Sequence, residues 1–287
     1  MTKYLPAAAA ATTGILVGAA IVATRFVIEQ TSPAALALLR YLIGCGCLLP
    51  LLLLSARVRF ERRDLLPIGL LGVTQFGVVV TLLNYALQYI PAGRAALIFA
   101  TLPLITMLLA TALGYERVNL IKAFGVLATI VGVGFVLGEQ AIQPSNSGNQ
   151  WLGTLAVLAS AACGALCSVL YRPYLQKYPT LSVSAFAMLA SVLVLAFVAV
   201  GEGFFSALPH FMPAGWLAVG FIGLSSGVGY YLWLWALNHT TATSVTVFLA
   251  LSPVSATILG ALVLAETPSP TSLFGLACVA LGIWLAQ

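Results

Sequence analysis

Polar side chains are rare in this sequence, and those that interrupt its apolar stretches are the ones that could bind a molecule. Gly77 begins one series, which continues with Thr81, Asn84 and Gln88. Intervals of three and four residues place these side chains on one face of an α-helix. Arg40 interrupts another apolar stretch, and its guanidinium group is suited to binding a carboxylate or a phosphate. Such groups recognise a polar solute by hydrogen bonds and charge.

An aromatic and polar series stands 150 positions after the first one. Tyr231 and Trp235 are four residues apart and share a helix face, and Asn238 follows one turn later. We predict that the two series face each other across a central cavity and bind a substrate together with Arg40. The alternatives are ring packing and hydrogen bonds between helices, which contribute only about 0.6–2 kcal/mol each. For Arg40 the alternatives are extension to the membrane surface, and bonds to Glu29 or to backbone carbonyl groups.

The ionisable residues are too few and too scattered for a catalytic or metal site. The two histidines, His210 and His239, are far apart, and the seven acidic residues all lie near predicted loops. The five cysteines include no Cys-x-x-Cys pair. An intramembrane enzyme needs a clustered nucleophile, base or metal site. We therefore predict that the protein is not an enzyme and uses neither a metal nor another cofactor.

The elements that must position the polar residues are transmembrane helices. The chain has 287 residues, of which 61% are hydrophobic and 7% charged, whereas soluble domains carry about 25% charged residues. A bilayer core about 30 Å thick needs roughly 20 apolar residues per helix, and turn and charge signals divide the chain into ten spans. We predict an all-α polytopic membrane protein in contact with a lipid bilayer, and no binding of nucleic acid. The approximate spans are 5–27, 33–54, 65–90, 92–114, 119–137, 151–172, 181–200, 214–238, 241–264 and 270–286.

Basic residues are distributed unequally between the predicted loops. Nine lie on the side of the N-terminus and two on the other side, while Arg40 lies just inside the second span. Short loops rich in Lys and Arg stay in the cytoplasm. We therefore predict a multi-pass protein of the cytoplasmic (inner) membrane with both termini in the cytoplasm. The nine are Lys3, Arg57, Arg59, Arg62, Arg63, Arg117, Lys122, Arg172 and Lys177, and the two are Arg25 and Arg94.

The two halves of the chain repeat at a constant offset of 150 residues from Gly77 onward. Before Gly77, one residue of slippage aligns Gly69 and Gly72 with Gly220 and Gly223. Each half holds five spans, and an odd number means that the second half enters the membrane from the opposite side. We therefore predict ten transmembrane helices arranged as two inverted five-helix repeats. Residues 1–140 form the first repeat, 141–150 a polar connector, and 151–287 the second repeat.

A proline and a glutamate stand thirteen positions apart in each repeat, as Pro103 with Glu116 and as Pro253 with Glu266. A proline inside a helix removes a backbone hydrogen bond, so we predict kinks in spans four and nine that act as hinges of two gates. Each glutamate precedes the next predicted helix, where a carboxylate is favourable. We interpret both glutamates as structural clamps, in preference to proton-binding groups.

Paired glycines predict the closest contacts between helices. Gly14 and Gly18 are four residues apart, as are Gly223 and Gly227. Such pairs let two helix backbones approach each other within a membrane. A wider spacing of two turns relates Gly125 to Gly132 and their copies Gly275 and Gly282. We predict that all of these glycines pack helices and that none contacts a substrate.

Several of these features together resemble the drug/metabolite transporter superfamily. They are Pro33 with Arg40 in span two, the proline–glutamate pairs of spans four and nine, and the paired glycines of spans five and ten. Within that superfamily the whole chain resembles the ten-helix EamA-type exporters, including those of aromatic and other amino acids. The second half departs from the pattern, since Leu181 and Met188 stand near the positions of the proline and arginine. The resemblance implies export of small metabolites, often amino acids, by alternating access.

We therefore expect a secondary transporter that exports small metabolites, with amino acids as the leading class. The alternative is a broad-specificity exporter of drugs and other amphipathic compounds, although Arg40 favours substrates with an anionic group. A channel or an assembly subunit has less need of two inverted halves. No carboxylate lies deep within a span, which favours facilitative over proton-coupled transport. The expected partners are a small-molecule substrate and lipid; a monomer is compatible with these features, and the oligomeric state stays open.

Overall fold

The structure is a computed structural model, and it describes residues 4–27, 30–31, 33–55, 58–86, 89, 98–117, 119–137, 150–201, 204, 211–264 and 270–286. Regular structure within these ranges is helical, and every predicted span contains helix, here labelled α1 to α10 in chain order. A short helix, Arg172–Lys177, follows α6. The helices are α1 (Leu5–Val27), α2 (Pro33–Leu54), α3 (Arg62–Gly72, Val73–Val78 and Val79–Ala86), α4 (Leu102–Ala112), α5 (Leu120–Leu137), α6 (Gln150–Leu170), α7 (Thr180–Gly201), α8 (Pro213–His239), α9 (Ala242–Thr246, Val247–Ala250 and Leu251–Leu264) and α10 (Pro270–Leu285).

Six of the helices are long and apolar enough to cross a membrane, namely α1, α2, α3, α6, α7 and α8. Shorter apolar helices lie in α4, α5 and α9. The predicted class, an all-α polytopic membrane protein, is confirmed. The start of α1 and the end of α10 lie at one end of the bundle, together with the turn between α8 and α9. We call this end the terminal face, and the other end the opposite face.

Helices of the two halves pack against each other in matching pairs. α1 lies against α8 and α9, just as α6 lies against α3 and α4. α2 lies against α7 and α8, just as α7 lies against α2 and α3. Exchanging the first five helices for the last five turns each of these contacts into a contact of the same set, and the pair of α5 and α10 maps onto itself. This pattern is that of two repeats related by a pseudo-two-fold axis in the membrane plane, so the predicted inverted repeats are confirmed.

α5 and α10 meet at glycines that the repeat relates. A Cβ atom on Gly125 would lie 2.7 Å from the carbonyl oxygen of Gly282. A Cβ atom on Gly132 would lie 2.7 Å from the backbone nitrogen of Val279 and 2.8 Å from the carbonyl oxygen of Gly275. The first glycine of α5 thus meets the second glycine of α10, as two antiparallel helices require. The other paired glycines also lie at close contacts: Gly14 and Gly18 face α9, and Gly223 and Gly227 face α2.

α3 contains one residue more than its counterpart α8. Gly72 and Gly77 are five positions apart, whereas their counterparts Gly223 and Gly227 are four positions apart. The structure accommodates the additional residue in a π-helical turn, Val73–Val78, while α8 is α-helical throughout. A π-helical turn holds more residues than an α-helical turn because its hydrogen bonds join residues five apart. The slippage in the sequence repeat is therefore a local change of helix type.

Two side chains of α6 bond to carbonyl groups on either side of this π-helical turn. The hydroxyl of Ser160 donates to the carbonyl oxygen of Val79 at 2.9 Å, and the thiol of Cys167 donates to that of Leu71 at 3.7 Å. Ser160 and Cys167 are seven residues apart and therefore share a helix face. Since a buried carbonyl group without a partner is costly, these bonds stabilise the altered backbone of α3.

The two prolines lie where the regular helix geometry of α4 and α9 changes. A turn at Ala100 and Thr101 precedes α4, and Pro103 occupies its first turn. In α9 the 3₁₀ segment Val247–Ala250 precedes Leu251–Leu264, in which Pro253 is the third residue. Proline is tolerated in the first turn of a helix because the missing N–H group has no partner there. Both helices are thus interrupted just before the proline, at equivalent points of the two repeats.

Candidate functional site

Arg40 lies about 10 Å along α2 from its first residue, as seven residues at 1.5 Å each require. Its side chain is half-buried, and its Nε donates to the hydroxyl oxygen of Ser226 on α8 at 2.5 Å. The same hydroxyl donates to the carbonyl oxygen of Ile222 at 2.6 Å. No ion pair of Arg40 with a carboxylate occurs in the described part of the chain. Glu29, the alternative partner considered for Arg40, lies outside the described residues.

A buried group of four rings lies next to Arg40, between the two repeats. We call Tyr41, Phe76, Tyr171 and Tyr230 the central aromatic cluster; each is less than a tenth exposed. The ring centroids of Phe76 lie 4.7 Å from Tyr41 and 4.3 Å from Tyr230, and Tyr230 lies 6.2 Å from Tyr171. The rings come from α2, from the π-helical turn of α3, from the end of α6 and from α8. The additional residue of α3 therefore lies at the contact between the two halves.

The central aromatic cluster carries buried hydroxyl groups whose hydrogen-bonding capacity is not fully satisfied. Two of these groups are the hydroxyls of Tyr171 and Tyr230, and a third is the hydroxyl of Ser191 on the neighbouring helix α7. All three are buried and have no hydrogen-bond partner of regular geometry in the described structure. Tyr171 and Tyr230 face each other, so at best one O–H group donates to the other and one donor is left over. A buried donor without a partner costs about 1–3 kcal/mol. These hydroxyl groups are therefore available to bind a polar molecule.

The first predicted polar series is placed only in part. Thr81 is exposed on α3, beyond the π-helical turn. The backbone of Asn84 is helical, while its side chain and the whole of Gln88 lie outside what the structure describes. α3 and α8 do meet, but at Phe76 and Tyr230. Phe76 directly precedes Gly77 of the first series, and Tyr230 directly precedes Tyr231 of the second.

The second series lines a groove instead of the contact with α3. Tyr231 and Trp235 share a face, as predicted, and lie opposite Leu5, Ala8 and Ala9 of α1. The groove has a volume of about 390 Å³ and lies towards the terminal face. The indole of Trp235 stacks on the ring of His239, with centroids 4.1 Å apart. Asn238 is partly buried near the end of the same helix. In this structure the expected pairing across a central cavity is therefore replaced by a contact with α1.

Glu116 touches the start of a helix, but a different one from that predicted. Its carboxylate accepts a hydrogen bond from the backbone N–H of Thr243 in the first turn of α9, at 3.3 Å. The start of α5 is served by Asn119, whose side chain accepts from the backbone N–H of Ile121 at 2.9 Å. Glu116 thus joins the two repeats at the terminal face, at a helix N-terminus that favours a negative charge. Glu266 lies outside the described residues.

Possible metal ligands and thiol groups form no site in the described part of the chain. No three His, Cys, Asp or Glu side chains there converge on one point. All five cysteines are free thiols. In the described residues around Arg40, the interior offers hydrogen-bonding groups, the guanidinium cation and aromatic surface.

Comparison with known proteins finds the same family in each half of the chain. Residues 5–138 and residues 151–286 each match the EamA-like transporter family. The chain belongs to the EamA-like transporter family. Membership of this family, which is part of the drug/metabolite transporter superfamily, confirms the resemblance noted from the sequence and makes the protein a multi-pass membrane transporter.

Several relatives of this EamA-like protein align over most of its length. A probable terminal-alkyne amino-acid exporter of Streptantibioticus cattleyicolor is 30% identical over 79% of this chain and 74% of its own. An uncharacterized transporter of Archaeoglobus fulgidus is 26% identical over 93% of both chains. The uncharacterized inner membrane transporter YedA of Escherichia coli is 27% identical over 94% of this chain and 87% of its own. A solved crystal structure shares the fold, with a TM-score of 0.85, 22% identity and coverage of 98% of this chain and 96% of that one.

Sequence reasoning did not find the central aromatic cluster. Tyr41, Phe76 and Tyr171 stand in apolar surroundings, and nothing in their spacing separates them from packing residues. One signal was present for Phe76, because it lies within the one-residue slippage of the repeat. Ser226 was also missed as the partner of Arg40, since the two are 186 positions apart.

Proposed function

We propose that this EamA-like protein is a secondary transporter that exports small metabolites, with amino acids as the leading class, by alternating access. The observation that carries the proposal is the environment of Arg40. Its guanidinium is held inside the bundle by the neutral hydroxyl of Ser226. A charge placed within a span costs about 2.5–3.5 kcal/mol on insertion scales at mid-helix, and less near an end. A substrate carboxylate would supply the opposite charge and accept two parallel hydrogen bonds.

The arrangement around Arg40 suits a molecule with one anionic end and one apolar end. Tyr41 follows Arg40 directly, and Ser226 lies one helical turn before Tyr230, so the cation and the central aromatic cluster are adjacent. In our proposal the carboxylate binds at Arg40 and the side chain of the substrate extends towards Phe76. The unused hydroxyl groups of Tyr171 and Tyr230 then bind a polar group of the substrate. The name of the Streptantibioticus relative, an amino-acid exporter, supports this substrate class.

The predicted polar series belong to the proposal as residues along the transport path. Thr81, Asn84 and Gln88 follow the π-helical turn in the sequence, and Tyr231, Trp235 and Asn238 lie near the terminal face on α8. Movement of one repeat against the other changes which of these side chains reach the substrate. Pro103 and Pro253 are the proposed hinges of that movement, since each follows an interruption of its helix. Glu116 and Glu266 are proposed as structural clamps at the two faces.

The proposed orientation determines the face at which the substrate of an exporter enters. The excess of Lys and Arg in the loops of the terminal face supports our proposal that this face lies in the cytoplasm, with the protein in the cytoplasmic membrane. Described members of this set include Arg59, Arg62 and Arg172. Substrate then enters from the cytoplasm and leaves at the opposite face. Transport, and not catalysis, is the activity that we propose for the chain, whether it acts as a monomer or in an assembly.

The apolar groove between α1 and α8 supports the second candidate, a broad-specificity exporter of amphipathic compounds. Tyr231 and Trp235 offer aromatic surface to a ligand there, and about 390 Å³ accommodates a drug-sized molecule. A cationic compound gains nothing from Arg40, however, so the two candidates predict different effects of changing that residue.

The test is a ligand screen of the purified protein by thermal shift, with amino acids, sugar phosphates and cationic amphipathic drugs as separate arms. Ligands that bind only the native state raise its apparent stability. Arg40→Gln is expected to weaken binding of an amino acid about 10- to 100-fold, the loss of a charge-assisted hydrogen-bond pair. Arg172→Gln, the same substitution in the short helix of the terminal face, is the matched control and should bind normally. Undiminished binding by Arg40→Gln, or binding of cationic drugs alone, would contradict the amino-acid proposal.

A further inference from the structure

A cluster of charged residues joins the two repeats at the terminal face. The ammonium group of Lys177 lies 2.6 Å from the carboxylate of Asp64 and 2.6 Å from that of Glu61. Tyr178 donates its hydroxyl hydrogen to Asp64 at 2.6 Å, and its oxygen accepts from the backbone N–H of Glu61 at 3.0 Å. We call Glu61, Asp64, Lys177 and Tyr178 the latch. Glu61 and Asp64 belong to the first repeat and the other two to the second.

The environment of the latch makes it stronger than an isolated surface ion pair. Only 13% of the Asp64 side chain and 34% of the Lys177 side chain is exposed. Phe60 packs on the ring of Tyr178, with centroids 4.8 Å apart, and covers one side of the contact. Arg63 adds a second cation at 2.6 Å from Glu61. The hydrogen bond from Lys177 is the main reason that the pKa of Glu61 is lowered, so this carboxylate stays charged at neutral pH.

The inverted repeat identifies the counterpart of this contact at the opposite face. Gly227 contacts Gly44, and its counterpart Gly77 contacts Ser191, so position 191 of α7 corresponds to position 44 of α2, an offset of 191 − 44 = 147. The same offset relates Lys177 to residue 30, since 177 − 147 = 30. The offset of 151 that aligns Gly72 with Gly223 relates Asp64 to residue 215, since 64 + 151 = 215. The counterparts of Lys177 and Asp64 are therefore Gln30 and Gly215.

These two counterparts do touch each other, but without charge. A Cβ atom on Gly215 would lie 3.0 Å from the side-chain oxygen of Gln30. That oxygen accepts a hydrogen bond from the backbone N–H of Met212 at 3.3 Å. Equivalent residues of the two repeats thus meet at each face. The described contacts between them are ionic at the terminal face and neutral at the opposite face.

We propose that the latch holds the terminal face closed and thereby biases the protein towards conformations that open at the opposite face. This inference rests on the alternating-access mechanism proposed above, because such a carrier must separate the two repeats at each face in turn. Opening at the terminal face breaks the ionic contacts of Lys177, whereas the described contact that opening breaks at the counterpart junction is the neutral hydrogen bond of Gln30. In the proposed orientation the latch keeps the cytoplasmic entrance shut until a substrate or a thermal fluctuation releases it.

The test is thiol labelling from the terminal face in a variant without the five native cysteines. Ser184→Cys is a suitable reporter, since Ser184 is fully buried near the start of α7 and has an unpartnered hydroxyl. Asp64→Asn or Lys177→Gln should raise the labelling rate about 5- to 50-fold, a range between exposed and buried ion pairs. Lys177→Arg, which keeps the positive charge opposite Glu61 and Asp64, should keep labelling slow. Arg172→Gln, which changes a charge in the same short helix, should leave it slow.

A salt series separates an electrostatic latch from a packing effect. Labelling of the reporter with an intact latch should accelerate at about 1 M salt, because ions screen partly exposed charges, whereas Asp64→Asn should respond little. Unchanged labelling in Asp64→Asn and Lys177→Gln, with melting temperatures near that of the parent, would overturn the proposal. Labelling requires no substrate. If the latch variants and salt change the labelling rate as expected but the protein transports nothing, the proposed function is refuted and the latch proposal stands.

Discussion

Removal of the hydroxyl groups from the central aromatic cluster should have opposite effects on stability and on binding. Tyr171→Phe and Tyr230→Phe keep the rings, which pack against each other and, through Tyr230, against Phe76. In the ligand-free protein each substitution removes a buried hydroxyl for which no partner of regular geometry is described. An unsatisfied buried group costs about 1–3 kcal/mol. We therefore expect each variant to be more stable than the parent by up to about 1 kcal/mol, since part of the cost is relieved by contact between the two hydroxyl groups.

The same substitutions should weaken substrate binding. A neutral hydrogen bond contributes about 0.5–1.5 kcal/mol, which corresponds to a loss of about 2- to 12-fold in affinity. The melting temperature should rise by about 2 °C or less for a chain of this size. Both quantities come from one experiment, in which the melting temperature is followed against ligand concentration. Tyr4→Phe, which changes a hydroxyl on a residue that is 79% exposed, is the matched control and should alter neither.

Two results would refute this reasoning. Lower stability of both ligand-free variants would mean that the hydroxyl groups are already satisfied in the native state. Higher stability with unchanged affinity would mean that they are unsatisfied but do not contact the substrate, and the proposed site would then be reduced to Arg40.

Three other predictions concern the scaffold and its movement. Gly132→Ala should lower the melting temperature by several degrees, because its Cβ would lie 2.7 Å from the backbone of α10 and overpacking costs about 1–3 kcal/mol. Gly46→Ala is the control, since no atom lies within 4 Å of its Cβ. Equal melting temperatures of the two variants would contradict the packing account. Deletion of Gln75 removes the additional residue of α3, so the π-helical turn should become α-helical and the position of Phe76 in the central aromatic cluster should change; a folded variant that transports normally would count against a role for the π-helical turn. Pro103→Ala and Pro253→Ala should shift thiol accessibility towards opposite faces, and shifts in the same direction would disprove the paired-hinge hypothesis.

The sequence predicted the features of the fold that the internal repeat constrains. Rare residues at one offset, such as Gly125 and Gly132 with their copies, showed the repeat, and the five spans of each half predicted the inversion. These glycines were also predicted to pack helices, as the structure shows. The face of a helix was harder to predict, because the spacing of polar residues alone does not show which side of α3 meets α8. Thr81 was therefore placed opposite Tyr231, whereas the helices meet at Phe76 and Tyr230.

Contacts between distant segments account for most of what the sequence could not show. Glu116 reaches Thr243 across 127 positions, and its local context pointed to the start of α5 instead. The latch brings Asp64 to Lys177, two charges that the sequence assigned only to loops on one side. Such pairings depend on which helices pack together, and no local pattern in the sequence encodes that choice. The repeat helped again here, since it related the latch to the contact of Gln30 at the opposite face.

Counterflow in proteoliposomes tests the central claim, a carrier of carboxylate-bearing metabolites, most directly. Vesicles that contain the purified protein and an excess of unlabelled amino acid are diluted into a trace of the same amino acid in labelled form. The account predicts transient accumulation of label above its equilibrium level, driven by exchange through alternating access, and its loss in Arg40→Gln but not in Arg172→Gln. Simple equilibration of label without an overshoot, for every amino acid identified by the ligand screen, would contradict the account.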